Sequence, residues 1–360
     1  MLLISRLPAG KIMKIKKRFK AAIIGCGRIA SDFDDDPKMV ETFGIASHAG
    51  GYTDNENIEL VAASDISKEK LDKFGKRWGV AGLYSDYTEM IAKEDIDILS
   101  ICTWNSTHLE ILNVASKSNV SAIWCEKPIS DSLSNAKRMI KLSEAKNIKL
   151  AVNHNRRWDQ FYRNIANFIH SGELGEIQQV SCYYTGGLAN TCSHLFDVLR
   201  MFLGDAEGVT GWINDSKGKD DPNMDGYIKF KNGTAVTLQS VAANSFLIFE
   251  FDIYGTKGRL RIENNGFNVS YWKVKESIKY SGYRELVAES APIKTPPKTM
   301  IKNAVQDIVE CIQTSNEPAC TGFDGYKALE MICAFQLSAR EKNRFVSLPL
   351  ENKNLMIKSK

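Results

Sequence analysis

The 360-residue chain lacks long apolar runs, paired-cysteine motifs, strong net charge, internal repeats and low-complexity segments. Each lack removes a class of protein. No stretch approaches the roughly 18 apolar residues that a membrane-crossing helix needs, so no membrane span is expected. Forty-seven basic residues against 43 acidic ones leave a formal net charge of +4, too balanced to argue for nucleic acid as a partner. Much of that excess lies between Lys11 and Lys20, in a segment that mixes apolar and basic residues. It has no continuous apolar core and no small-residue cleavage site, so a loosely packed tail over residues 1–18 is expected. The eight cysteines (Cys26, Cys102, Cys125, Cys182, Cys192, Cys311, Cys320 and Cys333) include no C-x-x-C pair. Several fall in strand-like apolar segments, where free cysteine behaves as a small hydrophobe. A reduced, cytoplasmic protein is the expectation. A zinc site built from Cys192 and His194 would need distant partners, and no metal is expected.

What is present is an apolar content of 43% and a charged content of 25%, ordinary for a globular protein. The length suggests two domains. In the first half, strand candidates at Phe19–Ile24, Ile58–Ala63, Ile96–Cys102, Val120–Cys125 and Lys149–Val152 alternate with helical patterns at Lys68–Trp78, Tyr87–Ala92, His108–Lys117 and Ser132–Ala145. Such alternation implies right-handed βαβ units and a parallel sheet. In the second half, strands at Ile177–Tyr184, Ala206–Ile213, Asp225–Phe230, Thr234–Ala242, Phe246–Tyr254 and Gly258–Ile262 follow one another through turn signals such as Asn232-Gly233. That succession predicts a largely antiparallel sheet, flanked by helices at Asp159–Ser171, Leu195–Leu203, Thr299–Thr314 and Gly325–Lys342. The expected organisation is an α/β dinucleotide-binding domain over 19–155 and an α+β substrate-binding domain over 156–360.

Four patterns carry chemistry. Gly25-Cys26-Gly27-Arg28-Ile29-Ala30 reads G-x-G-x-x-A; it follows a strand and should open a helix whose N-terminus receives a pyrophosphate. The second strand ends at Ser64-Asp65, and a carboxylate there bonds a ribose 2′-hydroxyl and repels a 2′-phosphate, favouring NAD over NADP. Asp65 lies forty positions after Gly25, where about 20 is usual; the excess falls in Ser31 to Ser47, a solvated insertion or a flap near the site. Thr103-Trp104-Asn105-Ser106-Thr107-His108 leaves the third strand on the edge where ligands bind, with His108 as a helix-start residue and cofactor-side contact. Glu126-Lys127-Pro128 leaves the fourth. Proline biases the residue before it towards extended backbone, so Lys127 is placed, and a partly buried lysine shifts its pKa down into acid/base range. Finally, Gly186-Gly187 precedes Asn190 and His194, four apart and on one face if helical. Arg156, Arg157 and Trp158, after the fifth strand, are candidates for a phosphate or a sugar face.

This ordered set resembles the glucose–fructose oxidoreductase/inositol dehydrogenase (Gfo/Idh/MocA) family. The likeness runs over roughly residues 19 to 350 and includes Ile253-Tyr254-Gly255-Thr256-Lys257-Gly258. It implies an NAD-dependent oxidoreductase acting on a carbinol carbon of a sugar, cyclitol or nucleotide sugar, with Lys127 at the reacting hydroxyl and near the nicotinamide ribose, and His194 as its acid/base partner. The cofactor contacts it implies are Gly25, Cys26, Gly27, Arg28, Ile29, Asp65, Thr103, Trp104, Asn105, His108, Glu126 and Lys127. A homodimer or homotetramer is expected. Asn190 stands where many members carry aspartate; an amide orients substrate but does not titrate, which shifts proton transfer to His194 or Lys127. Two rival readings remain: an NAD-dependent glycosidase that oxidises its sugar transiently, and a cofactor-binding regulatory relative without turnover.

Overall fold

The computed structural model describes residues 18–215, 220–352 and 354–357; nearly all of the expected N-terminal tail lies outside the described residues. The N-terminal sheet has six strands, β1 (Phe19–Ile24), β2 (Ile58–Ser64), β3 (Gly82–Tyr84), β4 (Ile98–Ile101), β5 (Ala122–Cys125) and β6 (Lys149–Val152), in the order β3-β2-β1-β4-β5-β6. Every pairing is parallel. The order reverses between β1 and β4, and a crevice opens there at the carboxyl ends of the strands. The helices are α1 (Pro37–Phe43), α2 (His48–Asp54), α3 (Lys68–Trp78), α4 (Tyr87–Lys93), α5 (His108–Ala115) and α6 (Leu133–Ala145). Strand β3, only three residues long, is too short to show periodicity and is not foreseen in the sequence.

The first helix departs from expectation. The glycine motif does not run directly into a regular helix. Residues 28–31 form a turn, a 3₁₀ turn covers Asp32–Asp35, and α1 and α2 follow. The His48 amide nevertheless donates to the Ile29 carbonyl (3.0 Å) and the Ala49 amide to that of Ala30 (3.0 Å). Residues 31–47 are thus spliced out of one helical path, which resumes at α2. The insertion is fastened at both sides. Asp34 accepts from the Ala46 amide at 2.6 Å, Lys73 pairs with Asp32 at 2.8 Å, and Phe43 meets Phe267 of the other half at 5.8 Å between ring centroids.

The C-terminal half holds α7 (Gln160–His170), α8 (Ser193–Leu203), α9 (Met300–Thr314), α10 (Gly322–Arg340) and a nine-stranded sheet. Its strands are β7 (Ile177–Tyr184), β8 (Ala206–Asp215), β9 (Asn223–Phe230), β10 (Ala235–Ser240), β11 (Phe249–Gly255), β12 (Gly258–Glu263), β13 (Asn268–Glu276), β14 (Arg284–Glu289) and β15 (Val346–Ser347), in the order β14-β13-β12-β11-β7-β10-β9-β8-β15. All its pairings are antiparallel except β7 with β10. Burial alternates along β9 to β12, one face inward and one outward; on the inner face Phe202 of α8 meets Phe251 and Phe335 of α10 lies against Gly226. The chain then returns to the first sheet. The Val152 amide donates to the Cys320 carbonyl at 3.0 Å, and a Cβ on Gly325 of α10 would lie 2.9 Å from Val152, so β6 has no bare edge to leave open.

Candidate active site

The carboxyl ends of β1, β2, β4, β5 and β6 open onto one cleft of about 830 Å³ that runs from Asp65, Lys70 and Tyr87 to Lys127, Asn190 and His194. Gly25 stands at its floor with φ +90°, and a Cβ there would lie 2.7 Å from the Cys102 carbonyl oxygen; only glycine allows this turn to pass so close to the neighbouring strand. A Cβ on Gly27 would meet nothing within 4 Å, so open space stands over the turn. Asp65 closes the other side. One carboxylate oxygen accepts the Cys26 amide at 2.7 Å and the other the Ser67 amide at 2.8 Å. A carboxylate has about four acceptor sites, so capacity for hydroxyls remains. The shaped turn, the room above it and the carboxylate fit a dinucleotide, with Gly25, Gly27, Arg28, Ile29, Asp65, Thr103 and Trp104 along the wall.

Three of the expected cofactor contacts are elsewhere. Cys26 is buried beneath the turn, where burial and then the Asp65 charge push its thiol up to about 12; it serves through its amide. Asn105 is buried and donates to the Ser130 carbonyl at 3.4 Å. His108 does begin α5, but it is fully buried, its ring nitrogens 3.1 Å from the Ile129 and Thr103 carbonyls. It braces the loop that carries Thr103 and Trp104. Helix geometry turns it inward, whereas Trp104 remains 60% exposed at the cleft.

At the far end, β5 delivers Lys127, half-buried, and its ammonium donates to the backbone oxygen (2.9 Å) and the side-chain oxygen (3.0 Å) of Asn190. The Lys127–Pro128 bond is cis. Burial, joined by the Arg156 charge and opposed by Glu126 and Asp221, holds the amine below the usual lysine range. Asn190 sits in a π-helical turn, Gly187–Cys192, that leads into α8, where His194 lies. Asp221 anchors that turn, accepting the amides of Ala189 (2.7 Å) and Asn190 (2.9 Å). His194 lines the same cleft, with Nδ1 lacking a hydrogen-bond partner among the described residues and its ring edge-on to His154 at 5.4 Å. Burial, then the charges of Lys127 and Arg156, drive His194 well below its ordinary value, so the ring is neutral near pH 7.

Of the three candidates after β6, Arg157 and Trp158 are engaged by carboxylates away from the cleft. Arg157 Nε donates to both oxygens of buried Asp197 (2.8 and 3.0 Å), and its Nη2 lies 3.1 Å from Asp324. Trp158 is buried and gives its indole N–H to Asp307 at 2.8 Å. Arg156 stacks its guanidinium 3.9 Å above the Phe249 ring, and its charge is felt at both Lys127 and His194. Sequence reasoning missed His48, Ser100 and Asn153, which stand directly behind Glu126, and missed Asp221. A polar residue inside an apolar strand is the signal for Ser100, and one just past a strand end the signal for Asn153; nothing in the local sequence singles out His48 or Asp221.

Comparison with known proteins agrees with this architecture. Residues 19–154 match the family model described as oxidoreductase family, NAD-binding Rossmann fold, and residues 168–348 match its C-terminal alpha/beta domain. The chain belongs to the Gfo/Idh/MocA oxidoreductase family. It is similar to D-apiose dehydrogenase of Paraburkholderia graminis (24% identity, covering 90% of this chain and 88% of that protein) and to myo-inositol 2-dehydrogenase of Thermotoga maritima (23%, 90% and 97%). Its fold resembles the WlbA dehydrogenase from Bordetella pertussis in complex with NADH and UDP-GlcNAcA, with a TM-score of 0.75 at 19% identity over 93% of this chain and 100% of that one. Among the described residues no helix is long and apolar enough to cross a membrane.

Proposed function

We propose that the protein catalyses NAD-dependent hydride transfer at a carbinol carbon of a sugar, cyclitol or nucleotide sugar. The observation that carries this reading is the placement of Lys127 and His194 in the cleft that begins at the Gly25 turn. When bound, NAD takes or returns a hydride at its nicotinamide C4. The chain supplies the rest. Gly25, Gly27 and the amides around them receive the phosphates, and Asp65 takes the ribose hydroxyls. Lys127, with its lowered pKa, removes or returns the hydroxyl proton. Neutral His194 accepts or donates a second hydrogen bond to the substrate oxygen, Asn190 orients the sugar and tethers the lysine, and Arg156 meets the sugar's outer face or an anionic substituent. The test is NADH formation with a panel of aldoses, cyclitols and nucleotide sugars; a panel that yields glycoside cleavage without net NADH would point to the transient-redox glycosidase instead.

Two results follow from this assignment. For oxidation, the acid/base group must be deprotonated, so the rate rises with pH through the Lys127 pKa, on a limb below the ~10.4 of a free lysine. Asn190→Asp puts a carboxylate at the lysine ammonium, which favours the charged form and moves that limb up by roughly 1 unit or more; an unmoved pH–kcat profile would remove Lys127 from the proton path. Asp65→Asn removes the charge that repels a 2′-phosphate. The ratio of kcat/KM for NAD to that for NADP is expected to fall by about tenfold or more, since each 1.4 kcal/mol of repulsion is a factor of about ten.

A further inference from the structure

Behind the Glu126-Lys127 step lies a polar chain that the proposed reaction does not use. His48 and Tyr52 are four apart on α2, so they share the face that α2 turns to the sheet. The Tyr52 hydroxyl lies 2.6 Å from Ser100 Oγ. Ser100 Oγ lies 2.9 Å from His48 Nδ1, and His48 Nε2 lies 3.2 Å from Glu126 Oε1. Asn153 Nδ2 donates to the same carboxylate oxygen at 2.6 Å, and the Lys127 amide donates to the other at 3.1 Å. His48 and Ser100 are fully buried, and the imidazole stacks on Trp124 with centroids 3.6 Å apart.

The carboxylate sets the direction of the bond it receives. An ionised carboxylate only accepts, so His48 Nε2 carries the proton. His48 Nδ1 shares its bond with Ser100 Oγ, and Ser100 Oγ shares the next with the Tyr52 hydroxyl. Three donors converge on Glu126: His48 Nε2, Asn153 Nδ2 and the Lys127 amide. Burial alone would lift the Glu126 carboxyl, but the bond and the charge of His48, the Asn153 bond and the Lys127 charge hold it below the usual carboxylate range. The outcome is a fixed anion in the wall of the cleft, beside a lysine whose ammonium is engaged across the cleft by Asn190.

We propose that His48 is a positioning residue that acts through Glu126 to make this end of the cleft prefer the oxidised, positively charged nicotinamide to the reduced, neutral one. The proposal rests on the dehydrogenase reading above, which sets the nicotinamide beside Lys127. The two cofactor forms differ by one unit of charge on that ring, and a clamped carboxylate distinguishes them, whereas a protonated or freely rotating one does not. His48 matters because deleting one donor leaves the others unable to fix both the charge and the direction of the carboxylate.

The test is the separate dissociation constants of NAD and NADH, by calorimetry on the full chain, in wild type, Glu126→Gln, His48→Ala and His48→Gln. In Glu126→Gln, affinity for the oxidised form is expected to fall by about tenfold while that for the reduced form changes by less than about threefold, the scale of one fixed charge in a half-solvated cleft. His48→Ala shifts the ratio the same way, and His48→Gln, whose amide can replace the Nε2 donor, restores most of it. Equal losses for both forms, or an unchanged ratio, overturn the proposal and leave the network a packing device. If His48→Ala does not fold, His48→Phe, which keeps a ring against Trp124 and removes the Nε2 donor, takes its place beside Glu126→Gln. A wild-type chain that binds neither form overturns this proposal together with the dehydrogenase reading.

Discussion

Lys127→Met is expected to lower kcat by about 10²- to 10⁴-fold, the usual contribution of a positioned acid/base group, while the dissociation constant of NAD changes far less. The ammonium makes its two hydrogen bonds to Asn190, on the substrate side of the cleft, whereas the glycine turn and Asp65 that receive the rest of the dinucleotide lie at the other end. Methionine keeps the volume and the apolar stem, so the surrounding wall has no cavity to collapse into. His194→Gln keeps a hydrogen-bonding side chain in the cleft and should cost less, because a ring held neutral by burial works chiefly by orienting the substrate oxygen. The measurement is single-turnover NADH formation with the substrate found in the panel. If the lysine variant turns over at the wild-type rate, proton transfer lies elsewhere.

Asp197→Ala is expected to be the most destabilising single change near the site, by about 3–5 kcal/mol. Asp197 is buried on α8 and holds Arg157 of the turn after β6, while Arg157 and Arg200 share Asp324 of α10. These four side chains tie the end of the first sheet to the two helices beneath the second. Removing one carboxylate strands a half-buried guanidinium beside a single remaining anion, the situation in which breaking a buried pair costs most. The double variant Arg157→Met/Asp197→Leu removes both charges and should recover much of the loss. Thermal unfolding of the single and double variants checks this; an Asp197→Ala midpoint within the range of ordinary surface substitutions, about ±0.5 kcal/mol, would show that the tie carries no stability.

The same pair shows where sequence reading stopped. Arg156, Arg157 and Trp158 are consecutive and look equivalent as candidates for a ligand. The 3₁₀ turn at 155–158 sends them in different directions: Arg156 over Phe249, Arg157 to Asp197, and Trp158 inward to Asp307. No local pattern separates them, because the partner carboxylates lie 40 and 149 positions away in the chain. His108 is a second instance. Its position at a helix start is legible, but its inward turn depends on carbonyls at Thr103 and Ile129. Strands β13 and β14 are not legible in the sequence, because their residues are mixed and largely exposed or half-exposed.

What the residue order decides by itself is everything held in short-range pattern: the strand and helix alternation of the first half, the glycine turn after β1, Asp65 at the end of β2 and Lys127 at the end of β5. These follow from period, from glycine's freedom at positive φ and from the rule that strands of a parallel sheet present their carboxyl ends on one edge. Only the tertiary structure decides which charges are fixed and which are free. It brings His48 back to the helical path across residues 31–47 and sets it against Glu126, 78 positions away. It also anchors the Asn190 turn on Asp221 and places His194 in the cleft, where burial keeps the ring neutral. Hydrogen-bond direction and desolvation are properties of the assembled neighbourhood, and they set the chemistry that the motif residues can perform.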